Sequence, residues 1–388
     1  MRYKIKMIIP RFRLHQNLLL FLIFTFIYIS SCKSPSKSED NYVTVGKGFL
    51  STLPIDEENF NFFINLGHMS NPGHTFPSDH GGFVLVDHLK PVPVYSPANM
   101  IITKIVTLEH INKSYSDYAL TLSINDGEFQ IVIGHMSQID NSILDQVKDT
   151  DEEECESYSI ANDSYRGCLI WTEIPVSAGD TLGIVGGNLG QLGLDFGVYD
   201  KTVQNQLATD RFDEYLYPYS VSPLDYFTDE ITNMLIPICG DGLHGVSTVR
   251  TKPPIGGTIN YDVPGTAQGI WFKEGAPFSP EDPHIALVYH NVDPDIPVFS
   301  VGTSIVGLTS GPYTFSIKDT GYIDRAFDDV ISDGNIYAYN AWYLSNNPYG
   351  HMRLLLQMLD ETHLKIEMQD TSLTPPWQFT NNAVIFDR

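Results

Sequence analysis

Three residues of this 388-residue chain combine chemically useful side chains with positions in or beside strand-like segments. His80 precedes the apolar run Gly-Gly-Phe-Val-Leu-Val, His135 follows Val-Ile-Gly, and Asp195 lies in the glycine-rich stretch 183–200. Imidazole nitrogens and carboxylate oxygens can bind Zn²⁺, and an imidazole can also move protons near neutral pH. The residue types therefore predict two possible metal ligands, His80 and Asp195, and one possible acid-base group, His135.

Short β-strands are predicted to position these residues. Strand-like segments, rich in branched and aromatic residues, occupy 80–86, 118–124, 129–133 and 194–199. Asp126-Gly127, between two of these segments, is typical of a hairpin turn. This part of the chain is therefore expected to fold mainly as antiparallel sheet.

The alternation of side chains along a strand predicts which residues face the same site. His80 and Val84 are four residues apart and are expected on one face. Asp79 and Asp87 have the opposite parity and are expected to point away from His80. Asp195 is expected to point toward the site that His80 faces. Neither of the carboxylates close to His80 in sequence, Asp79 and Asp87, is expected to do so.

Four segments, in this order, resemble the motifs of the peptidase M23 family, the LytM or lysostaphin-like zinc endopeptidases that cut peptidoglycan cross-bridges. They are His80-Gly-Gly-Phe-Val, Pro93-Val-Tyr-Ser-Pro-Ala-Asn-Met-Ile, Ile133-Gly-His-Met-Ser and the run 176–198. The resemblance implies an antiparallel β domain with a catalytic zinc. It covers none of residues 253–388.

The chain departs from the family at two of the motifs. The family binds zinc through the His and Asp of the first motif and the second His of a His-x-His motif. Here His80 is present, but Val84 stands at the Asp position, and Gly193-Leu-Asp195 replaces His-Leu-His. His135 matches another catalytic histidine of the family. An isopropyl group and a hydrogen atom cannot bind a cation, so the family's zinc site is expected to be incomplete.

Because of these departures, the leading hypothesis is a binding protein that is not an enzyme. The chain is predicted to be an envelope protein that needs no cofactor and binds cell-wall peptide or glycan, or an envelope protein partner. The alternative is a zinc metalloendopeptidase acting on peptidoglycan peptides through a rearranged site of His80, Asp195 and His135. In a third interpretation the first domain is a scaffold and the second domain carries recognition.

A histidine-rich segment precedes the first motif. His68, His74 and His80 are spaced by six residues, which would place them on one face of a continuous strand. Pro72 and Pro77 interrupt such a strand. A histidine metal cluster is thus compatible with the segment but is not implied by it.

The N-terminus has the features of an export signal. Residues 1–31 contain five basic residues followed by a short apolar run, and Ile-Ser-Ser-Cys32 resembles a bacterial lipobox. Cys32 is therefore predicted to be the lipidated first residue of the mature protein, tethered by residues 32–59 to the bacterial cell envelope. A plain secretory signal or a short anchor helix are the alternatives, and the sequence does not distinguish inner from outer membrane.

The charge of the chain argues against a nucleic-acid partner. The net charge is −24, and removal of residues 1–31, which carry five basic and no acidic residues, lowers it to −29. Such a surface repels nucleic-acid phosphates. The predicted partners are a membrane, through the lipid anchor, and peptidoglycan or an envelope protein.

Composition and turn residues predict a mostly β protein of two domains. A lysostaphin/LytM-like antiparallel β domain is expected over residues 60–205, a helical connection over 206–252, and a second β-rich sandwich or small barrel over 253–388.

Three cysteines remain besides Cys32. Cys155 and Cys168 bracket an acidic insertion and are predicted to form a disulfide, because disulfides persist in exported proteins. Pairing of Cys239 with either of them is an open alternative.

Overall fold

The computed structural model describes residues 42–388 except 114, 148–152, 161–162, 189, 213–214, 242–247 and 345–349. The predicted signal segment 1–31, the lipidation site Cys32, residues 33–41 of the tether and most of the acidic run 149–154 lie outside the described residues. Within the described part of the chain, no helix is both long enough and apolar enough to span a membrane. The description below concerns residues 43–388, which form one compact unit.

The first half of this unit is a large, predominantly antiparallel sheet. Its strands are β1 (Phe60–Ile64), β2 (Gly81–Leu85), β3 (Val92–Tyr95), β4 (Met100–His110), β5 (Ser116–Ile124), β6 (Phe129–Ile139), β7 (Glu153–Ile160), β8 (Asp163–Val176), β9 (Thr181–Val185), β10 (Gly193–Asp200), β11 (Ser220–Val221), β12 (Cys239–Asp241) and β13 (Thr248–Val249). The main path runs β13-β12-β1-β2-β10-β6-β5-β4-β8-β7, with β11 beside β10 and β9 joining β3 to β6. The strands predicted near His80, His135 and Asp195 are present, and Asn125–Gly127 forms the predicted turn.

The sheet topology places Asp195 at the centre of the sheet. β10 lies between β2 and β6, and Asp195 is directly opposite Gly82 on one side and Gly134 on the other. The opposite face of these strands packs into a core that includes Phe83, Ile133 and Phe196. One face is thus closed by apolar packing, and the other is available for a site.

Residues 206–252 contribute to the sheet as well as containing a helix. The helix of this predicted helical connection is α2 (Asp229–Leu235), and Thr228 caps it. Ser222 caps a single 3-10 turn before it. Phe227 is fully buried and pairs with Leu50, which keeps the chain extended just before α2. A four-residue helix, α1 (Asn141–Leu144), follows β6.

The second half of the unit is a closed antiparallel barrel, one of the two architectures predicted for it. Its strands are β14 (Gly269–Lys273), β15 (Ile285–Tyr289), β16 (Pro297–Val301), β17 (Gly311–Thr314), β18 (Tyr337–Tyr343), β19 (His351–Met358), β20 (His363–Gln369) and β21 (Val384–Asp387). They pair in chain order, and β14 pairs with β21 to close the ring. A mostly β fold with two β-rich parts is therefore confirmed.

Strands β14–β16 are buried on both faces. Trp271, Leu287 and Phe299 fill the barrel interior. Phe272 and Val298, which point outward, belong to a separate apolar cluster with residues of the first half. Burial on both faces explains why these strands have continuous apolar sequences.

The structure resolves the cysteine alternatives. Cys155 and Cys168 are directly opposite each other in the β7–β8 hairpin and form a disulfide. Cys239 is a buried free thiol. Its burial raises the pKa of the thiol to about 12, so the thiol is protonated and unreactive at neutral pH.

We therefore expect thiol labelling to depend on unfolding. Of Cys155, Cys168 and Cys239, none should react with iodoacetamide in the folded protein, and only Cys239 should react after denaturation without a reductant. Peptide mapping by mass spectrometry checks this. Labelling of Cys155 or Cys168 in the unreduced denatured protein would contradict the assigned pairing.

Candidate functional site

The three residues singled out from the sequence meet around the Asp195 carboxylate. Its Oδ2 lies 3.4 Å from His80 Nε2 and 3.2 Å from His135 Nε2. His80 immediately precedes β2, His135 lies on β6, and Asp195 lies on β10 between them. Three neighbouring strands therefore bring together side chains that are far apart in sequence, and Asp195 faces the site as predicted from strand parity.

His135 has an unusual backbone conformation. Its φ is 57°, in the left-handed region that non-glycine residues seldom adopt. The β5–β6 register shifts at this point, between the pairs Tyr118–Met136 and Leu120–Ile133. The bulge turns the His135 side chain outward, and the ring is 46% exposed. Such strain commonly marks functional positions.

Two further carboxylates hold the outer nitrogens of the two rings. Asp79 Oδ1 lies 2.8 Å from His80 Nδ1, and Asp117 Oδ2 lies 3.4 Å from His135 Nδ1. Every ring nitrogen of His80 and His135 therefore has a carboxylate partner. The result is an ion chain in the order Asp79, His80, Asp195, His135, Asp117.

The ends of the ion chain are anchored by neutral donors and a third histidine. Tyr199 donates its hydroxyl to Asp79, at 3.1 Å. Gln191 donates its amide to Asp117, and His110 Nε2 lies 2.7 Å from the same carboxylate. Gln191 belongs to the glycine-rich segment before β10, so this segment positions Asp117 and, through it, His135.

Sequence reasoning wrongly excluded Asp79 and overlooked Asp117. Asp79 lies in a bend before β2 begins, so strand alternation does not apply to it. Asp117 is a buried carboxylate within β5, and its contact with His135 depends on the bulge. The available signal for Asp117 was a charged residue directly before the predicted strand 118–124. Because β5 begins at Ser116, this residue is part of the strand, where a buried carboxylate is unusual unless it is paired.

The pKa shifts of the residues in the ion chain favour alternating positive and negative charges along it. The nearby Asp195 carboxylate raises the pKa of His135 to about 9. Burial lowers the pKa of His80, but Asp195 and Asp79 outweigh it and raise that pKa well above its usual value. Burial also opposes ionisation of Asp195, yet the two imidazolium groups hold its pKa well below the usual range. At neutral pH two imidazolium groups therefore alternate with three carboxylates.

His74 completes the wall of the site in its neutral form. Its ring centroid lies 5.1 Å from that of His80. Burial and the neighbouring His80 charge lower the pKa of His74 to about 4, so the ring is uncharged at neutral pH. The three spaced histidines do share one cavity, but His68 is directed toward Asp241, 3.8 Å away.

The site residues do not fit the zinc centre that the family resemblance implies. A catalytic zinc requires about three protein ligands and an open position. Among the described residues, no group of three or more His, Cys, Asp or Glu side chains is arranged to hold a metal ion. Val84, at the position of the family's Asp ligand, lines the cavity directly opposite Gly193. Both ring nitrogens of His80 and of His135 already lie beside a carboxylate.

Gly193 is required by the backbone packing at this point. A Cβ built on residue 193 would lie 2.6 Å from the carbonyl oxygen of Phe83. Histidine at this position would therefore require β2 and β10 to move apart. The spacing of the two strands therefore suits glycine at position 193 and not histidine.

Two cavities flank the ion chain on the open face of the sheet. One, of about 220 Å³, has a mixed lining that includes the polar side chains of His68, His74 and Gln191. The other, of about 240 Å³, has apolar walls that include Val106, Leu108, Ala119 and Val132. His80, His135 and Asp195 line both cavities, so the ion chain separates them. A larger cavity, of about 440 Å³, lies near Lys47 and Gly256, away from the histidine cluster.

Comparison with known proteins adds no relative. No protein-family model, no curated protein and no solved structure matches the chain. What can be inferred about function therefore depends on the geometry of the site itself.

We expect Asp195→Asn to destabilise the protein in a pH-dependent way. The contribution of His135 is fully present below pH 6.5 and is lost as the pH rises through about 9. The contribution of Asp195 is present above pH 3.8 and is lost as the pH falls below that value. The free energy of unfolding of Asp195→Asn should thus fall furthest below that of wild type between these two pH limits, by about 1–2 kcal/mol after allowance for solvent screening.

Urea unfolding of both proteins from pH 3 to pH 10 measures this difference. The exposed Asp126→Asn variant is the matched control and should show no such peak. A difference that is flat with pH would show that the charges of the ion chain do not interact in the folded protein.

Proposed function

We propose that this chain is an exported, lipid-anchored envelope protein whose M23-like β domain binds cell-wall peptide without hydrolysing it. The observation that carries the proposal is the placement of the Asp195 carboxylate between His80 and His135. The side chains that would serve a metal or a nucleophilic water form ion pairs with each other instead. The anchor rests on the sequence around Cys32.

The protonation of the two rings supports a non-catalytic role. A ring that carries a proton on both nitrogens has no lone pair for a metal ion or for a proton from water. His80 and His135 are each flanked by two carboxylates. The ion chain therefore replaces the metal as the element that organises this face of the sheet.

The shape of the open face supports the binding of a peptide. The mixed and the apolar cavity lie side by side across the ion chain, each large enough for a small side chain or a backbone turn. The three carboxylates exceed the two imidazolium groups by one negative charge, which favours a ligand with an amino group. A glycan or a folded protein partner are the other classes that the same face could bind.

One observation favours the zinc endopeptidase as a second candidate. The two N···O separations around Asp195, 3.4 and 3.2 Å, are close to the edge of a zinc tetrahedron, about 3.3 Å for typical bond lengths. The described residues nevertheless supply no complete ligand set. This candidate therefore requires a metal measurement.

We expect the purified mature protein to contain well under about 0.1 zinc ion per chain, because a structural or catalytic zinc site would be close to fully occupied. Soluble peptidoglycan peptides should bind, as measured by calorimetry, and should remain uncut over long incubation, as measured by mass spectrometry. Ala119→Leu should weaken binding at least about tenfold, because the larger side chain fills the apolar cavity.

Ile101→Phe serves as the matched control, since it enlarges an exposed β4 residue that does not line the cavity. It should leave peptide binding unchanged. Near-stoichiometric zinc together with peptide cleavage that His80→Ala abolishes would overturn the non-catalytic proposal. Binding of glycan chains but not of peptides would assign the face to a different ligand.

A further inference from the structure

The segment that supplies half of the candidate site is held between the sheet and the barrel. Residues 65–80 connect β1 to β2 and carry His74, Asp79 and His80. At its start, Asn65 and Asn291 exchange two hydrogen bonds, of 2.7 and 3.0 Å, and both side chains are buried. The start of the segment is thus in direct polar contact with the second half of the molecule.

Ser300 is a polar residue on the otherwise apolar outer side of β16. Its hydroxyl donates to the carbonyl oxygen of Thr75, at 2.5 Å, and accepts from the Asn71 amide, at 3.0 Å. The same amide also donates to Val301. Because hydrogen bonds are directional, these contacts fix the register of the segment along the barrel wall.

Phe76 is the apolar anchor of the segment. Its ring is fully buried, stacks on His284 with centroids 5.3 Å apart, and contacts Phe272 edge-on at 5.1 Å. Its backbone N–H donates to the carboxyl group of the partly buried Glu281, at 3.0 Å. Apolar burial and a backbone hydrogen bond therefore hold the same residue, four positions before His80.

The far end of the segment is fixed by the first half of the molecule. Tyr217 donates to the carbonyl of Pro77, and Ser220 donates to that of Asp79, each at 2.6 Å. The segment therefore cannot shift on the barrel without altering the backbone of Asp79 and His80. His135 and Asp117, in contrast, lie on β6 and β5, and none of their described side-chain partners is in the barrel.

We infer that the C-terminal barrel is a positioning surface for the candidate site: through Ser300, Glu281 and the outer faces of β14–β16 it sets the placement of His74 and His80. Ser300 and Glu281 are positioning residues, since they act through the segment and do not touch the ion chain. The inference gives the barrel a role beyond the proposed function, and its test uses no ligand, so it can fail independently of peptide binding.

The test compares full-length variants by NMR. Ser300→Ala and Asn71→Ala each remove uncharged groups from the contact. Tyr313→Phe is the control, because it removes a buried barrel hydroxyl that bonds Thr309 within the barrel. The measured quantities are the imidazole ¹⁵N and ¹H chemical shifts of His80 and His135, the NOE between the rings of His74 and His80, and amide hydrogen exchange.

We expect both contact variants to change the His80 shifts and weaken the His74–His80 NOE, while His135 stays close to wild type. The amide protons of His74 and Phe76 should exchange about five- to tenfold faster, as expected for the loss of one hydrogen bond. Tyr313→Phe should leave all of these unchanged even if it lowers the melting temperature.

The inference would be overturned if the His80 chemical shifts stayed unchanged in both contact variants. It would also be overturned if Tyr313→Phe changed the His80 shifts as much as the contact variants do. If Ser300→Ala does not fold, Asn71→Ala decides the question, because Asn71 is only partly buried and its loss leaves Ser300 bonded to Thr75.

Discussion

The Asp195 carboxylate, held between two imidazole rings, is the interaction on which the site depends. A carboxylate in this partly buried place requires compensation for its lost hydration, and His80 and His135 supply it. Each imidazolium in turn requires a second anion, which Asp79 and Asp117 provide. Removing any one member leaves a neighbouring charge without a partner, so the chain of five groups acts as a unit.

The close approach of the strands makes this arrangement possible. Gly82, Gly134 and Gly193 surround Asp195 in the register of β2, β6 and β10. A side chain at Gly193 would collide with the backbone of β2. A histidine at position 193, which the family resemblance implies, would therefore need the two strands to move apart, and Val84 beside it lines the cavity with an apolar group. On the other side of the site, residues 65–80 pack against strands β14–β16 of the barrel, which are buried on both faces.

The sequence predicted local features well and non-local features less well. The strands around His80, His135 and Asp195 and the turn at Asp126 follow from branched residues and turn chemistry within a few positions. The choice between sandwich and barrel depends on the pairing of β14 with β21, which no local pattern encodes. Asp79 was misplaced because the strand begins one residue after His80, and Asp117 was missed because its partner lies on a bulge.

The protonation state of the two histidines tests the central claim most directly. Imidazole ¹⁵N chemical shifts of His80 and His135, recorded at pH 7 with and without one equivalent of Zn²⁺, report whether each ring carries one proton or two. The ion chain predicts that both rings carry two protons and that zinc leaves their shifts unchanged. Singly protonated rings whose ¹⁵N shifts move on addition of zinc would contradict it and would indicate a metal centre.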